Sequence, residues 1–230
     1  MSLRNLGIMA IPRGKVALAL FNEYSGTIVK THGLTMVFDP VGIGLGELPR
    51  TDLIVVTHEH YDHLDGRLVA SLQARDAAMV ATTPFVARQL RGIPSDRLKA
   101  MKPGEELDIR GLKLNAEVSD HPGNQPLTFV LTTEDGIRIY HSSDSRPYPG
   151  MRGLGDKYKP DIALCTVGIA PGTSPRSGVE VARLLKPKLA IPYHSDDERA
   201  LEEFVRILAE QEPAIRTKIL KRFQIFLYPE

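Results

Sequence analysis

The stretch Thr57-His58-Glu59-His60-Tyr61-Asp62-His63-Leu64-Asp65-Gly66 follows directly on the apolar run Leu53-Ile54-Val55-Val56. Between His58 and Asp65 it holds three histidines and two aspartates. Imidazole and carboxylate are the side chains that hold divalent transition metals without thiolates. His58 and His60 are two apart, so on an extended segment they lean to the same side. Asp62 and His63 are adjacent, so they diverge and can serve a different centre. One short loop can therefore feed two neighbouring metal ions, at the end of a run that reads as a fully buried strand.

Outward from that loop, short β-branched runs alternate with helical patterns. Residues 27–30 and 35–38 flank a His32-Gly33 turn, in which His32 is expected to be exposed. Residues 67–75 predict a helix behind the motif, 79–81 a strand, and 84–91 a second helix. Strands are expected at 106–109, 112–118, 127–132 and 137–141, the last two as a hairpin around Glu134-Asp135-Gly136. A strand at 161–167 precedes a helix that Ser174 caps and Pro175 opens, running to Leu185. A strand at 189–192, a helix at 196–212 with Leu201, Phe204, Val205 and Leu208 on one stripe, and a closing strand at 219–227 complete the pattern. Gly42, Gly44 and Gly46 lack the lysine and helix start of a phosphate loop and read as a flexible rim. Strand-rich segments interleaved with helices imply two sheets with helices outside them.

The composition sets bounds on function. With 42% hydrophobic and 25% charged residues in 230, the chain has the balance of a globular protein with a sizeable core. A net charge of +1 gives no global footprint for nucleic acid or an anionic membrane. The single cysteine, Cys165, allows no intramolecular disulfide, fits a reducing compartment, and sits in an apolar run as a buried small hydrophobe. No run reaches the roughly 18 apolar residues of a spanning helix. Pro12-Arg13-Gly14-Lys15 interrupts the apolar start, so the expected location is cytoplasmic.

The remaining ligand types stand where strands give way to loops. His121 follows the strand ending near Val118, Asp144 follows the strand ending at His141, and His194 follows the strand ending at Pro192. Sites assembled from several strand ends are usual in layered α/β folds.

The order HxHxDH, then His, then Asp, then His resembles the metallo-β-lactamase superfamily. His58 to Asp65 is similar to the branch that includes ascorbate-6-phosphate lactonase, metal-dependent hydrolases of unknown role and N-acylphosphatidylethanolamine phospholipase D. Phe38-Asp39-Pro40, Tyr140-His141-Ser142-Ser143-Asp144-Ser145 and Pro192-Tyr193-His194 resemble further family motifs, so the likeness spans roughly residues 16 to 228. It implies an α/β fold, a four-layer αβ/βα sandwich, with residues 1–230 as one metallo-β-lactamase-like domain. It further implies that His58, His60 and His121 hold one metal, that Asp62, His63 and His194 hold a second, and that Asp144 bridges them. Asp39, Asp65 and His141 are expected beside these ligands; Tyr61 and Tyr193 flank them. Two departures stand out: Ser143 and Ser145 replace the family's Gly and Thr around the bridging aspartate, and 168–175 carries no acidic residue where relatives often do.

The chemistry so implied is a hydrolase with two divalent ions, zinc first and manganese second, and a metal-bridging hydroxide as nucleophile. Asp62 and Asp144 are the expected catalytic carboxylates, with Asp62 passing a proton to the leaving group. The expected substrate is a lactone, ester or phosphodiester of a small metabolite. A phospholipid or nucleic-acid phosphodiesterase, or a non-catalytic metal- or ligand-binding protein, are the alternatives. The neutral charge argues against nucleic acid as a partner, no membrane span is expected, and the family allows a homo-oligomer. A purely structural metal site is closed, which speaks against the binding-protein alternative.

Overall fold

A computed structural model describes residues 3–230; Met1 and Ser2, where the expected domain begins, lie outside the described residues. The chain runs α1 (Leu3–Ile8), β1 (Val16–Leu20), β2 (Thr27–Lys30), β3 (Thr35–Phe38), β4 (Leu53–Val56), α2 (Gly66–Asp76), β5 (Met79–Thr82), α3 (Pro84–Gln89) and β6 (Leu98–Ala100). It continues with β7 (Glu106–Ile109), β8 (Leu112–Val118), β9 (Leu127–Thr132), β10 (Arg138–His141), α4 (Met151–Tyr158), β11 (Ile162–Thr166) and α5 (Pro175–Leu185). The last elements are β12 (Leu189–Tyr193), α6 (Glu198–Gln211), β13 (Arg216–Thr217) and β14 (Phe226–Tyr228). Two compact units result. One holds the chain up to Glu105, Gly123–Leu127 and Lys221–Glu230; the other holds Glu106–Pro122 and Thr128–Leu220.

The first unit is built on a mixed seven-stranded sheet in the order β14-β1-β2-β3-β4-β5-β6. β14, β1, β2 and β3 pair antiparallel, and β3 to β6 run parallel. Alternate residues of the strands (Ala17 and Ala19, Ile54 and Val56) join Leu6 of α1, Val69 and Leu72 of α2 and Val86 of α3 in one core. That spacing of two is the pleat placing one face toward the helices. Every residue of β4 is buried, as its unbroken apolar sequence requires of an interior parallel strand. Truncating Ile54 to alanine in such a core costs about 2–5 kcal/mol.

The second unit is built on a seven-stranded sheet in the order β13-β12-β11-β10-β9-β8-β7. β9 and β10 form the expected antiparallel hairpin, and β10 to β13 are parallel. Met151, Val181, Leu185, Phe204 and Leu208 from α4, α5 and α6 pack with Ala163, Cys165 and Ala190 of the sheet. α5 begins as Ser174-Pro175 foretells: Ser174 and Ser177 form a reciprocal capping box, with proline in the first turn.

Several local expectations need correction. The closing strand is confined to Phe226–Tyr228; upstream of it Phe223 takes a positive φ of 63° and the Lys221 amide donates to the Gln224 side chain, so that segment turns. α1, β1 and α4 escape the periodicity reading. α4 is short and carries Gly153 and Gly155, poor helix formers. A Cβ at Gly155 would lie 2.6 Å from the Leu184 carbonyl, so close packing on α5 demands the glycine. His32 is half-buried rather than exposed. No described helix is long and apolar enough to cross a membrane.

Candidate metal centre

In each sheet the ligand-type residues sit at strand ends, mostly at the carboxyl ends of parallel strands, where an α/β sheet leaves a crevice. In the first unit β4 delivers the loop from Thr57 to Asp65, and Asp39 stands one residue past β3. In the second, β8, β10 and β12 deliver His121, Asp144 and His194.

The first-unit loop is organised around Asp39, which is fully buried. Its Oδ1 accepts from the Thr57 amide at 2.8 Å. Its Oδ2 accepts from Ser25 Oγ at 2.6 Å and Thr57 Oγ1 at 2.9 Å, and lies 2.8 Å from His63 Nδ1. A carboxylate beside Nδ1 puts the imidazole proton there and leaves the Nε2 lone pair outward. That Nε2 lies 3.6 Å from Asp62 Oδ2. His58 is treated the same way: Thr57 Oγ1 sits 3.1 Å from its Nδ1, and its Nε2 lies 3.0 Å from His60 Nδ1. Two donor atoms about 2.0–2.1 Å from one zinc ion lie roughly 3.0–3.4 Å apart, so the imidazole pair has the spacing of two ligands on a common cation. Asp39 thus lies against the Nδ1 side of His63.

Asp65 does not orient a histidine. Its Oδ1 accepts from the Arg67 and Leu68 amides at 3.0 Å each, capping α2. The reason is positional: Asp65 immediately precedes the helix, where a short carboxylate meets the unpaired amides of the first turn. Glu59, between the two histidines, was not singled out from sequence. Its Oε1 accepts from both the Asn124 amide (2.8 Å) and side chain (2.7 Å), tying the segment 123–127 to the loop. Burial pushes the Glu59 carboxyl up, but these two bonds, its own backbone amide and neighbouring His60 together hold it below its ordinary value. Tyr61 is 79% exposed and meets Tyr24 edge to face.

In the second unit Asp144 is the hub. Its Oδ1 lies 2.9 Å from His194 Nε2 and its Oδ2 lies 3.5 Å from His121 Nε2, all three residues being buried. The other nitrogen of His194 faces the Gly168 carbonyl at 3.3 Å, which again leaves Nε2 for the hub. The backbone here is strained. Ser143 and His194 both hold positive φ, 49° and 60°, a cost of order 1–3 kcal/mol each for side chains that prefer other regions. Ser143 is held there by its neighbours. Its carbonyl accepts from Tyr193 Oη at 3.2 Å and from Thr166 Oγ1, and its amide donates to His141 Nδ1 at 3.2 Å. His141, packed edge to face on Tyr193 at 5.4 Å, supports the turn before Asp144 through the Ser143 amide. Tyr193 is buried and packs against His141.

A second support was invisible in the sequence. The Asp120 amide donates to Ser145 Oγ at 2.9 Å, the Arg146 amide to the Asp120 carbonyl at 3.1 Å, and Arg146 Nη2 to Asp120 Oδ1 at 2.8 Å. Residues flanking His121 and Asp144 are thereby clamped together. Cys165 is buried in the sheet, and burial alone pushes its thiol far up, so no thiolate is on offer.

The family model described as a beta-lactamase superfamily domain matches residues 27–210. A UPF0173 metal-dependent hydrolase of Methanoculleus marisnigri is 29% identical over 202 residues, covering 81% of this chain and 86% of that one. Among solved structures, Igni18, a metallo hydrolase from the archaeon Ignicoccus hospitalis, aligns with a TM-score of 0.80 at 20% identity, covering 94% of this chain and 99% of its own. The metallo-β-lactamase fold protein YhfI from Bacillus subtilis aligns with a TM-score of 0.71 at 12% identity, covering 93% and 99%. At such identities the two structures speak to the fold alone, and the fold is that of the metallo-β-lactamases.

Proposed function

The chain belongs to the beta-lactamase superfamily domain family and is a metal-dependent hydrolase of the metallo-β-lactamase superfamily; from that premise we propose that it uses two divalent ions to hydrolyse a lactone, ester or phosphodiester of a small metabolite. The observation that carries this reading is Asp144, whose two oxygens face two different imidazoles, His121 and His194. That disposition suits a carboxylate shared between two cations. In the proposed centre His58, His60 and His121 would hold one ion, Asp62, His63 and His194 would hold the other, and Asp144 would serve both, within one metallo-β-lactamase-like domain. Five imidazoles and two carboxylates favour zinc, with manganese second.

When bound, two such ions lower the pKa of a water to about 7 and polarise a carbonyl or phosphoryl oxygen. The protein's part is orientation and proton handling. Asp39 and Thr57 fix the tautomers of His63 and His58, so that Nε2 of each is the donor. Asp62 accepts the proton released by the attacking water and delivers it to the leaving group. No side-chain nucleophile is needed.

Elemental analysis of the purified protein, run beside lactone, phosphodiester and phosphomonoester substrates, tests the proposal. About two metals per chain and hydrolysis of one class support it. No metal, and no activity after zinc or manganese is added back, would overturn it. Asp62→Asn with metals retained and the rate unchanged would remove Asp62 from the proton path.

A further inference from the structure

Beside the loop from His58 to Asp65 the first unit opens a cleft of about 700 Å³. Tyr61 and Leu64 of the loop and Val41 give it an apolar side, while Arg67, Gln89 and Arg91 give it donors. The cations are set differently. Arg67 stands in the first turn of α2, where a positive charge opposes the helix dipole, so helix stability does not account for it. Its guanidinium makes no hydrogen bond or ion pair with any described residue. Arg91 follows α3 and donates through Nη1 to the carbonyls of Arg88 (2.6 Å) and Leu90 (3.2 Å). Those bonds fix the plane of the guanidinium and leave its other nitrogens for a ligand. The one carboxylate in the lining, Asp65, has an oxygen committed to two helix amides. Two guanidiniums against one carboxylate leave the lining net positive, and a guanidinium fork matches the two oxygens of a carboxylate or phosphate.

We infer that this cleft is an oxyanion subsite: Arg67 and Arg91 hold the carboxylate or phosphate tail of a substrate whose apolar stem lies on Tyr61 and Leu64 and whose scissile group reaches the metal loop. The inference rests on the hydrolase reading above and narrows it to anionic substrates. Gln89 supplies a neutral donor to the same tail.

The test compares a neutral ester, 4-nitrophenyl acetate, with a carboxylate-tailed one, mono-4-nitrophenyl glutarate, on the metal-loaded protein. Wild type, Arg67→Lys and the double variant Arg67→Ala/Arg91→Ala are assayed, with calorimetric titration of glutarate and inorganic phosphate into each. The expected result is a KM about tenfold lower for the tailed ester in wild type, and loss of that preference in the double variant. Arg67→Lys keeps the charge without the fork and falls between. Titration separates the sources: the anion bound more tightly by wild type names the tail. The same preference in wild type and double variant would overturn the inference. If neither ester is hydrolysed the hydrolase reading is at fault, and the titrations still judge the cleft. Anion binding weakened about tenfold in the double variant upholds it, and equal binding in all three proteins refutes it.

Discussion

The two halves of the candidate ligand set are supported in opposite ways. In the first unit four candidate ligands lie within six residues of one loop, His58 to His63, and two of them, His63 directly and His58 through Thr57, are oriented by hydrogen bonds converging on the buried carboxylate of Asp39. In the second unit His121, Asp144 and His194 come from three separate strands. They are oriented by backbone, with Ser143 and His194 at positive φ and the Asp120–Arg146 clamp joining two strand ends. Ligands close in sequence need only a side chain to aim them. Ligands far apart need the sheet, and tight turns at the strand ends accept strain to finish the aim.

The harshest way to break the comparison is to remove one ligand from each half. Asp144→Ala should abolish hydrolysis and lower the content of both metals, whereas His60→Ala should lower one site more than the other. Both losses should exceed the roughly 10–100-fold typical of an outer partner. Metal analysis and turnover check this, and full occupancy in both variants would refute the ligand assignment.

The next test removes the first unit's support. Asp39→Ala leaves the Thr57 amide and hydroxyl, Ser25 Oγ and His63 Nδ1 without their acceptor. The expected cost is about 1–3 kcal/mol for each donor that stays buried, and about 10–100-fold in metal affinity. Thermal unfolding with and without metal separates the two effects. An unchanged metal affinity would show that Asp39 serves the fold alone.

Two milder substitutions sharpen the contrast. Asp65→Ala should cost about 1 kcal/mol of stability through the lost cap of α2, with metal affinity untouched; a fall in affinity would return Asp65 to the metal loop. Ser143→Gly should leave stability unchanged or raise it by about 1 kcal/mol, because glycine takes a positive φ without strain but is freer when unfolded. A clear loss in denaturant unfolding would mean that the serine side chain, not the turn, is what the site needs.

Much of this was legible in the chain. The HxHxDH loop after an apolar run, the hairpin at Glu134-Asp135-Gly136 and the Ser174-Pro175 helix start all form where local chemistry demands them. What was missed was non-local. α4 hid behind Gly153 and Gly155, of which Gly155 serves close contact with α5. Asp65 carried the right side chain for a histidine partner, but the helix amides two and three residues on were nearer. Glu59 and Arg146 gave no local signal, because their partners, Asn124 and Asp120, are 65 and 26 residues away.

By itself the sequence determined the candidate ligand types, their order and the strand that presents the first four, because alternation and spacing are properties of a few adjacent residues. Only the tertiary structure decided which nitrogen of each imidazole faces a neighbouring ligand, that Asp144 presents one oxygen to His121 and the other to His194, and that Arg67 and Arg91 share a cleft. Those facts depend on strand order and on turns with positive φ, and they exist only once the sheets have brought distant residues within hydrogen-bonding distance.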